Sequence, residues 1–267
     1  MARGRRNHRP DLNGVLAVDK PLGWSSAKIV SLARRVSRGA KVGHAGTLDP
    51  LATGVLVLCF GSATKAAERI QALGKRYLAG VDLARFTTTD DLEGDDLAID
   101  ALRPADFGVE PALDVARDAE GRPTLSAIEH VLAGRFVGTI EQRPPDFSAV
   151  SVGGERAYRI ARTGERPAIA SKLVRIDAID VVRYDWPHVE LDVRCGKGTY
   201  IRSLARDLGL ALGVGGTLTG LVRTAVGPWD VEAAAPADRL TDEFITRHVQ
   251  PPPVATTPTT QAADPSS

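Results

Sequence analysis

The sequence predicts an α+β protein: a mixed, mainly antiparallel sheet flanked by helices. Short strand-like runs and amphipathic helical stretches interleave without the regular rhythm of βαβ units. Two alternating segments, 173–182 and 188–194, follow each other closely, as paired antiparallel strands do. No internal repeat is present.

The elements follow in order. Residues 1–11, with Arg3, Arg5, Arg6 and Arg9, read as a mobile basic arm. A helix is expected over 25–38, capped by Ser25 and stopped at Gly39, with Ile29, Leu32, Ala33 and Val36 along one face. The continuous β-branched run 54–61 reads as a buried strand. A helix over 63–73 follows, with Ser62 as cap and Gly74 as stop. Residues 75–83 alternate, placing Tyr77, Ala79, Val81 and Leu83 on the inner side of a half-buried strand. Residues 87–96 form an acidic loop, and a helix near 124–133 ends at Gly134. Arg143-Pro144-Pro145-Asp146 imposes an extended turn. The turn 152–155 leads into a helix over Ala157–Arg162. A last helix, 199–212, follows Gly196-Lys197-Gly198, with Ile201, Leu204, Ala205 and Leu208 buried and Arg202 and Arg206 on a different face. The organisation expected is an arm (1–11), one main domain (12–232), a short extension (233–249) and a disordered tail (250–267).

Composition narrows the chemistry. A chain of 267 residues that is 43% hydrophobic holds one large domain or two modest ones. No run approaches a membrane span, and the N-terminus has no apolar run of a secretory signal. Cys59 and Cys195 sit in unrelated contexts, so a reducing cytoplasm is expected. Phosphate-loop, dinucleotide-binding, zinc-protease, deaminase and nucleophile-elbow motifs are all absent. Neither metal nor cofactor is expected.

The net charge of +1 hides a partition. Residues 1–78 hold 14 Lys/Arg against 4 Asp/Glu, whereas residues 79–150 hold 6 against 15. The first block suits a nucleic-acid face, and the second is expected to face away from it.

Residues 41–54, KVGHAGTLDPLATG, stand out. Pro50 keeps Asp49 out of helical conformation, and glycines 43, 46 and 54 allow close approach by a ligand. A lone carboxylate among cations is set up to act as base or nucleophile, although an isolated Asp-Pro more often just shapes a turn.

This block, GHAGTLDPLATGVL, resembles the TruB family of tRNA pseudouridine synthases, of which dyskerin is a eukaryotic relative. The resemblance includes Asp19-Lys20-Pro21-Leu22-Gly23-Trp24-Ser25-Ser26, Ala63-Thr64-Lys65 and Lys75-Arg76-Tyr77. It continues through Arg143-Pro144-Pro145, Phe147-Ser148-Ala149, Arg156-Ala157-Tyr158 and 198–204, and closes with Leu221 and Arg223-Thr224. It implies the pseudouridine synthase fold, with no metal or cofactor. Asp49 matches the family's essential aspartate, which breaks the N-glycosidic bond of a uridine before C5 is joined to C1′. Tyr77 would stack on the flipped base, Tyr200 line the pocket, Arg202 pair with and orient Asp49, and Leu221 pack against the base. His44 would meet the RNA where the base leaves the stack, and Lys20 would lie near the site. Gly196-Lys197-Gly198 reads equally as a phosphate cradle or a plain turn.

The implied substrate is the T-loop uridine at position 55 of tRNA. The enzyme would act in the cytoplasm as a monomer, with no membrane and no obligate protein partner. Too little chain follows Trp229 for the family's PUA domain, which is expected to be missing. Val222-Arg223 and Trp229 replace the usual Arg-Arg and Phe. Two rivals stay open: an RNA-binding or tRNA-folding module with incidental catalysis, and a synthase for another RNA.

Overall fold

A computed structural model describes residues 9–253. The expected contributions of Arg3, Arg5 and Arg6, and of the tail from 254 onward, lie outside the described residues. The chain opens with β1 (Gly14–Lys20), α1 (Ser26–Val36), β2 (Val42–Ala45), β3 (Ala52–Phe60), α2 (Ala67–Ala72) and β4 (Lys75–Asp82). It continues with β5 (Phe86–Thr87), β6 (Asp96–Leu97), α3 (Leu125–Arg135), β7 (Gly138–Gln142), β8 (Ser151–Val152), β9 (Glu155–Arg156) and α4 (Ala157–Arg162). Then come β10 (Lys172–Asp185), β11 (His188–Cys195), α5 (Ile201–Leu212), β12 (Thr217–Val226), β13 (Trp229–Asp230), β14 (Ala235–Pro236) and α6 (Asp242–His248).

One ten-stranded sheet runs in the order β14-β1-β3-β12-β4-β11-β10-β7, with β2 added to β3 and β13 to β12. Its pairs are antiparallel except β1–β14 and β12–β3. The chain is α+β, as its interleaved pattern requires. β3 is apolar throughout because both its faces are covered. Leu56, Leu58 and Phe60 pack with Ile29 and Ala33 of α1, whereas Val55, Val57 and Cys59 pack with Ala63, Ala66 and Ile70. A third core joins β4, β11 and β12 to α3 and α5.

Ser25 caps α1 as expected, accepting the Lys28 N–H at 3.2 Å. Ser62 does not cap the next helix. Its N–H donates to Asn13 Oδ1 at 2.7 Å, and residues 61–66 form a 3-10 turn before α2 begins. α3 runs through Gly134 because Phe136, buried in the third core, closes its end instead. α5 starts at Ile201, later than expected. The backbone N–H and C=O of Tyr200 are both taken by the Gln142 side chain, at 2.8 and 3.1 Å.

Three further expectations are corrected. The 233–249 stretch is not an appendage: β14 pairs with β1, and Ala235, Leu240 and Ile245 share a core with Leu16, Val18 and Ile29. Gln250, assigned to the disordered tail, exchanges backbone hydrogen bonds with Val15 at 2.7 and 3.0 Å. Arg9, assigned to the mobile arm, is held by Asp11 and Asp242. Among the described residues no helix is long and apolar enough to cross a membrane.

Candidate active site

Asp49 sits on the bend between β2 and β3, and the bend is clasped from two sides. Ser26, at the start of α1, donates its hydroxyl to the Leu48 carbonyl at 3.0 Å and accepts the Leu48 N–H at 2.9 Å. Lys20, at the end of β1, is fully buried, and its Nζ donates to the carbonyls of Pro21 (3.0 Å), Trp24 (2.6 Å) and Pro50 (3.3 Å). Burial pulls the Lys20 pKa down to about 8, and Arg223 adds to this while Asp49 and Asp19 oppose it. Lys20 thus lies beneath the aspartate loop and takes no part in lining the cavity.

A third clasp comes from Arg223, which sequence reasoning treated only as part of the family's closing motif. On β12 it lies in register between Gly54 of β3 and Tyr77 of β4. Its buried guanidinium donates to the carbonyls of Val55 (2.7 Å), Gly46 (3.2 Å) and Thr47 (3.4 Å) and contacts the Tyr77 hydroxyl. At Gly54 this corrects the reading of the glycine as room for a ligand, whereas Gly46 does line the cavity. Gly54 has φ +95°, and a Cβ there would stand 2.3 Å from the Arg223 carbonyl oxygen, so the close approach is by the chain itself.

Arg202, in the first turn of α5, forms an ion pair with Asp49 at 3.0 Å and a second with Asp91 at 3.4 Å. Its side chain is 8% exposed, that of Asp91 5% and that of Asp49 44%, so the pair has one dry and one open side. Carbonyls of Thr89 and Phe147, each at 3.1 Å, take further donors of Arg202. One turn later Arg206 is equally buried, paired with Asp90 at 2.8 Å and Asp207 at 2.8 Å. The acidic block is therefore not uniformly outward, although most of its carboxylates are exposed. Two of its carboxylates turn inward, because two buried guanidiniums on α5 need counter-charges. A local sequence pattern cannot show this, since the partners lie more than a hundred residues apart.

Asp49, Tyr77, Tyr200, Arg202 and Leu221 line one cavity of about 760 Å³, together with Lys172, Lys197 and Glu68. Neighbouring strands supply the first wall: Leu221 pairs with Ala52 of β3 and Ala79 of β4, two residues from Tyr77. Burial pushes the Tyr77 and Tyr200 hydroxyls upward in pKa, so both keep their protons at neutral pH. His44, on β2 opposite Leu58, does not line this cavity. Burial, reinforced by Arg223, lowers its pKa and favours the neutral ring. Arg223, Asp91 and Lys172 were missed as site residues. Asp91 carried no signal beyond its acidic loop, and Lys172 none beyond its charge.

The model of the TruB family pseudouridylate synthase N-terminal domain matches residues 34–114 and 113–201. The model of the tRNA pseudouridylate synthase B C-terminal domain matches residues 202–251. A protein named tRNA pseudouridine synthase B from Thermobifida fusca is 45% identical over 240 residues, covering 87% of this chain and 75% of that protein. One of the same name from Parabacteroides distasonis is 41% identical over 241 residues, covering 88% of this chain and 94% of that one. Among solved structures, a chain in the crystal structure of a Cbf5-Nop10-Gar1 complex matches with a TM-score of 0.64 at 28% identity. That match covers 90% of this chain and 60% of the other. Family models over most of the sequence, relatives above 40% identity and a shared fold lead to one assignment: the chain belongs to the TruB family of pseudouridylate synthases.

Proposed function

We propose that this protein isomerises uridine to pseudouridine at position 55 in the T loop of tRNA. The observation that carries the reading is the Asp49–Arg202 ion pair of 3.0 Å, in a cavity walled by Tyr77, Tyr200 and Leu221. Its setting is a chain of the TruB family.

The reaction exchanges the N1–C1′ bond for a C5–C1′ bond. C5 loses a proton and N1 gains one, so atoms balance without oxidant, reductant or cofactor. A stacked loop hides C1′ and C5, so the nucleotide is flipped out at a cost of a few kcal/mol. Stacking on an aromatic ring returns about 1–3 kcal/mol per base, a role given to Tyr77, with Tyr200 and Leu221 confining the base. Asp49 is the essential carboxylate that opens the glycosidic bond. Arg202, held from behind by Asp91, fixes its direction. Lys20 and Arg223 hold the loop that carries it, and His44 meets the RNA where the base leaves its stack.

Apart from the buried Lys20, Arg202 and Arg206, cations of the basic block 1–78 and of 151–206 contact phosphates, which makes binding salt-sensitive. The enzyme works in the cytoplasm as a monomer without an obligate protein partner. Incubation with an unmodified tRNA transcript, followed by mapping of pseudouridine, tests the reading. Product is expected at position 55 and lost in Asp49→Asn. Absence of product, or product undiminished in that variant, overturns it. A T-arm hairpin is expected to suffice, which separates this enzyme from a synthase for another RNA.

A further inference from the structure

Most cations around the cavity already have protein partners. Arg202 is tied to Asp49 and Asp91, Arg223 to the carbonyls of Gly46, Thr47 and Val55, and Lys75 to those of Gln71 and Leu73. Lys172 is different. It opens β10, half-buried in the cavity wall, with its ammonium 4.5 Å from the centroid of the Tyr200 ring. Burial lowers its pKa, and no carboxylate is near enough to offset this. Among the described residues its ammonium has neither a hydrogen bond nor an ion pair; the Tyr200 ring is its partner. The turn that carries Lys197 passes beside it: a Cβ on Gly198 would stand 3.5 Å from the Lys172 Nζ. Lys197 is exposed and lines the same cavity.

A half-desolvated ammonium without a counter-charge is unfavourable until an anion reaches it. A flipped nucleotide brings one, because its phosphodiester follows the base to the mouth of the cavity. We propose that Lys172, with Lys197 beside it, receives the backbone phosphate next to the flipped uridine. This rests on the synthase reading above and names a subsite within it. The Tyr200 face holds the ammonium in place by a cation–π contact, so the ring that confines the base also positions the cation that takes its phosphate. A lysine suits the task, being a compact charge with three rotatable donors.

The test uses T-arm hairpins in which one linkage flanking the target uridine, 5′ or 3′, is a neutral methylphosphonate. On the native hairpin, Lys172→Met should raise KM about tenfold and lower the slope of log affinity against log salt by about 0.7, the contribution of one phosphate on a single strand. Lys172→Arg should restore most of both. With one of the two methylphosphonate hairpins, wild type should show the same penalty and Lys172→Met no further one. An unchanged salt slope in Lys172→Met, or an equal penalty on all three RNAs, overturns the proposal. Should Lys172→Met fail to fold, wild type alone decides: an unaltered salt slope on both methylphosphonate RNAs rules the contact out. If wild type makes no pseudouridine on any RNA, the synthase reading fails. If it does and Lys172→Met behaves as wild type, only this inference fails.

Discussion

Replacing Arg223 by methionine should disable the site and leave the fold standing. The side chain is 2% exposed and donates to three carbonyls, two of them on the loop that carries Asp49. Hydrogen bonds from a charged donor contribute about 1.5–3 kcal/mol each. The bond to Val55, at 2.7 Å, is the shortest, those to Gly46 and Thr47 being longer. Opposing this, a guanidinium compensated only by carbonyl dipoles and a hydroxyl costs several kcal/mol to bury, and methionine retains much of the packing. The net loss of stability is then about 1–3 kcal/mol, which a domain with a stability of roughly 5–15 kcal/mol survives. The site fares worse. Without the tie at Gly46 and Thr47, the loop can drift, and a displacement of about 1 Å costs on the order of a hundredfold in rate. Single-turnover pseudouridine formation, measured beside urea unfolding, separates the two effects. Arg223→Lys should rescue little, since an ammonium cannot reproduce the guanidinium fork. A folded Arg223→Met enzyme within threefold of the wild-type rate would refute the reasoning.

Asp91→Asn should lower kcat about tenfold or more with little change in KM, because Arg202 would keep only one of its two carboxylates; steady-state kinetics with a T-arm hairpin checks this. Lys20 gives a pH dependence of defined sign. Its folded pKa of about 8 lies below the ordinary 10.5, so between those values the unfolded chain binds the extra proton and stability from this group rises with pH. Lys75, also at about 8, acts in the same direction. Urea midpoints between pH 7.5 and 10 should therefore climb less steeply in Lys20→Met than in wild type. Gly54→Ala places a methyl 2.3 Å from the Arg223 carbonyl oxygen at a positive φ, and should cost about 2–4 kcal/mol in thermal or urea unfolding.

What the sequence revealed was local or motif-borne. The helical stripe and Ser25 cap of α1, the alternation around Tyr77 and the apolar run of β3 each need only neighbouring residues to be read. The Asp-Pro bend was legible for the same reason. What stayed hidden depends on pairing across long separations. Arg202 and Arg206 sit on a helix whose pattern suggested one open face, yet the whole helix is buried because Asp49, Asp90, Asp91 and Asp207 neutralise that face. The net charge of an acidic block says how many carboxylates it holds, not which ones turn inward. Residues 233–249 looked like an addition because the family's motifs end before them, but β14 needs only the edge of β1 to join the sheet.

The most direct measurement is release of tritium from a T-arm hairpin labelled at C5 of the target uridine alone. C5 exchanges its hydrogen for the bond to C1′, so release reports the isomerisation itself rather than binding. Wild type should release one tritium per RNA, and Asp49→Asn should bind the hairpin and release none. Release by Asp49→Asn at the wild-type rate, or no release by a folded, RNA-bound wild-type enzyme, would contradict the assignment of Asp49 as the residue that opens the glycosidic bond.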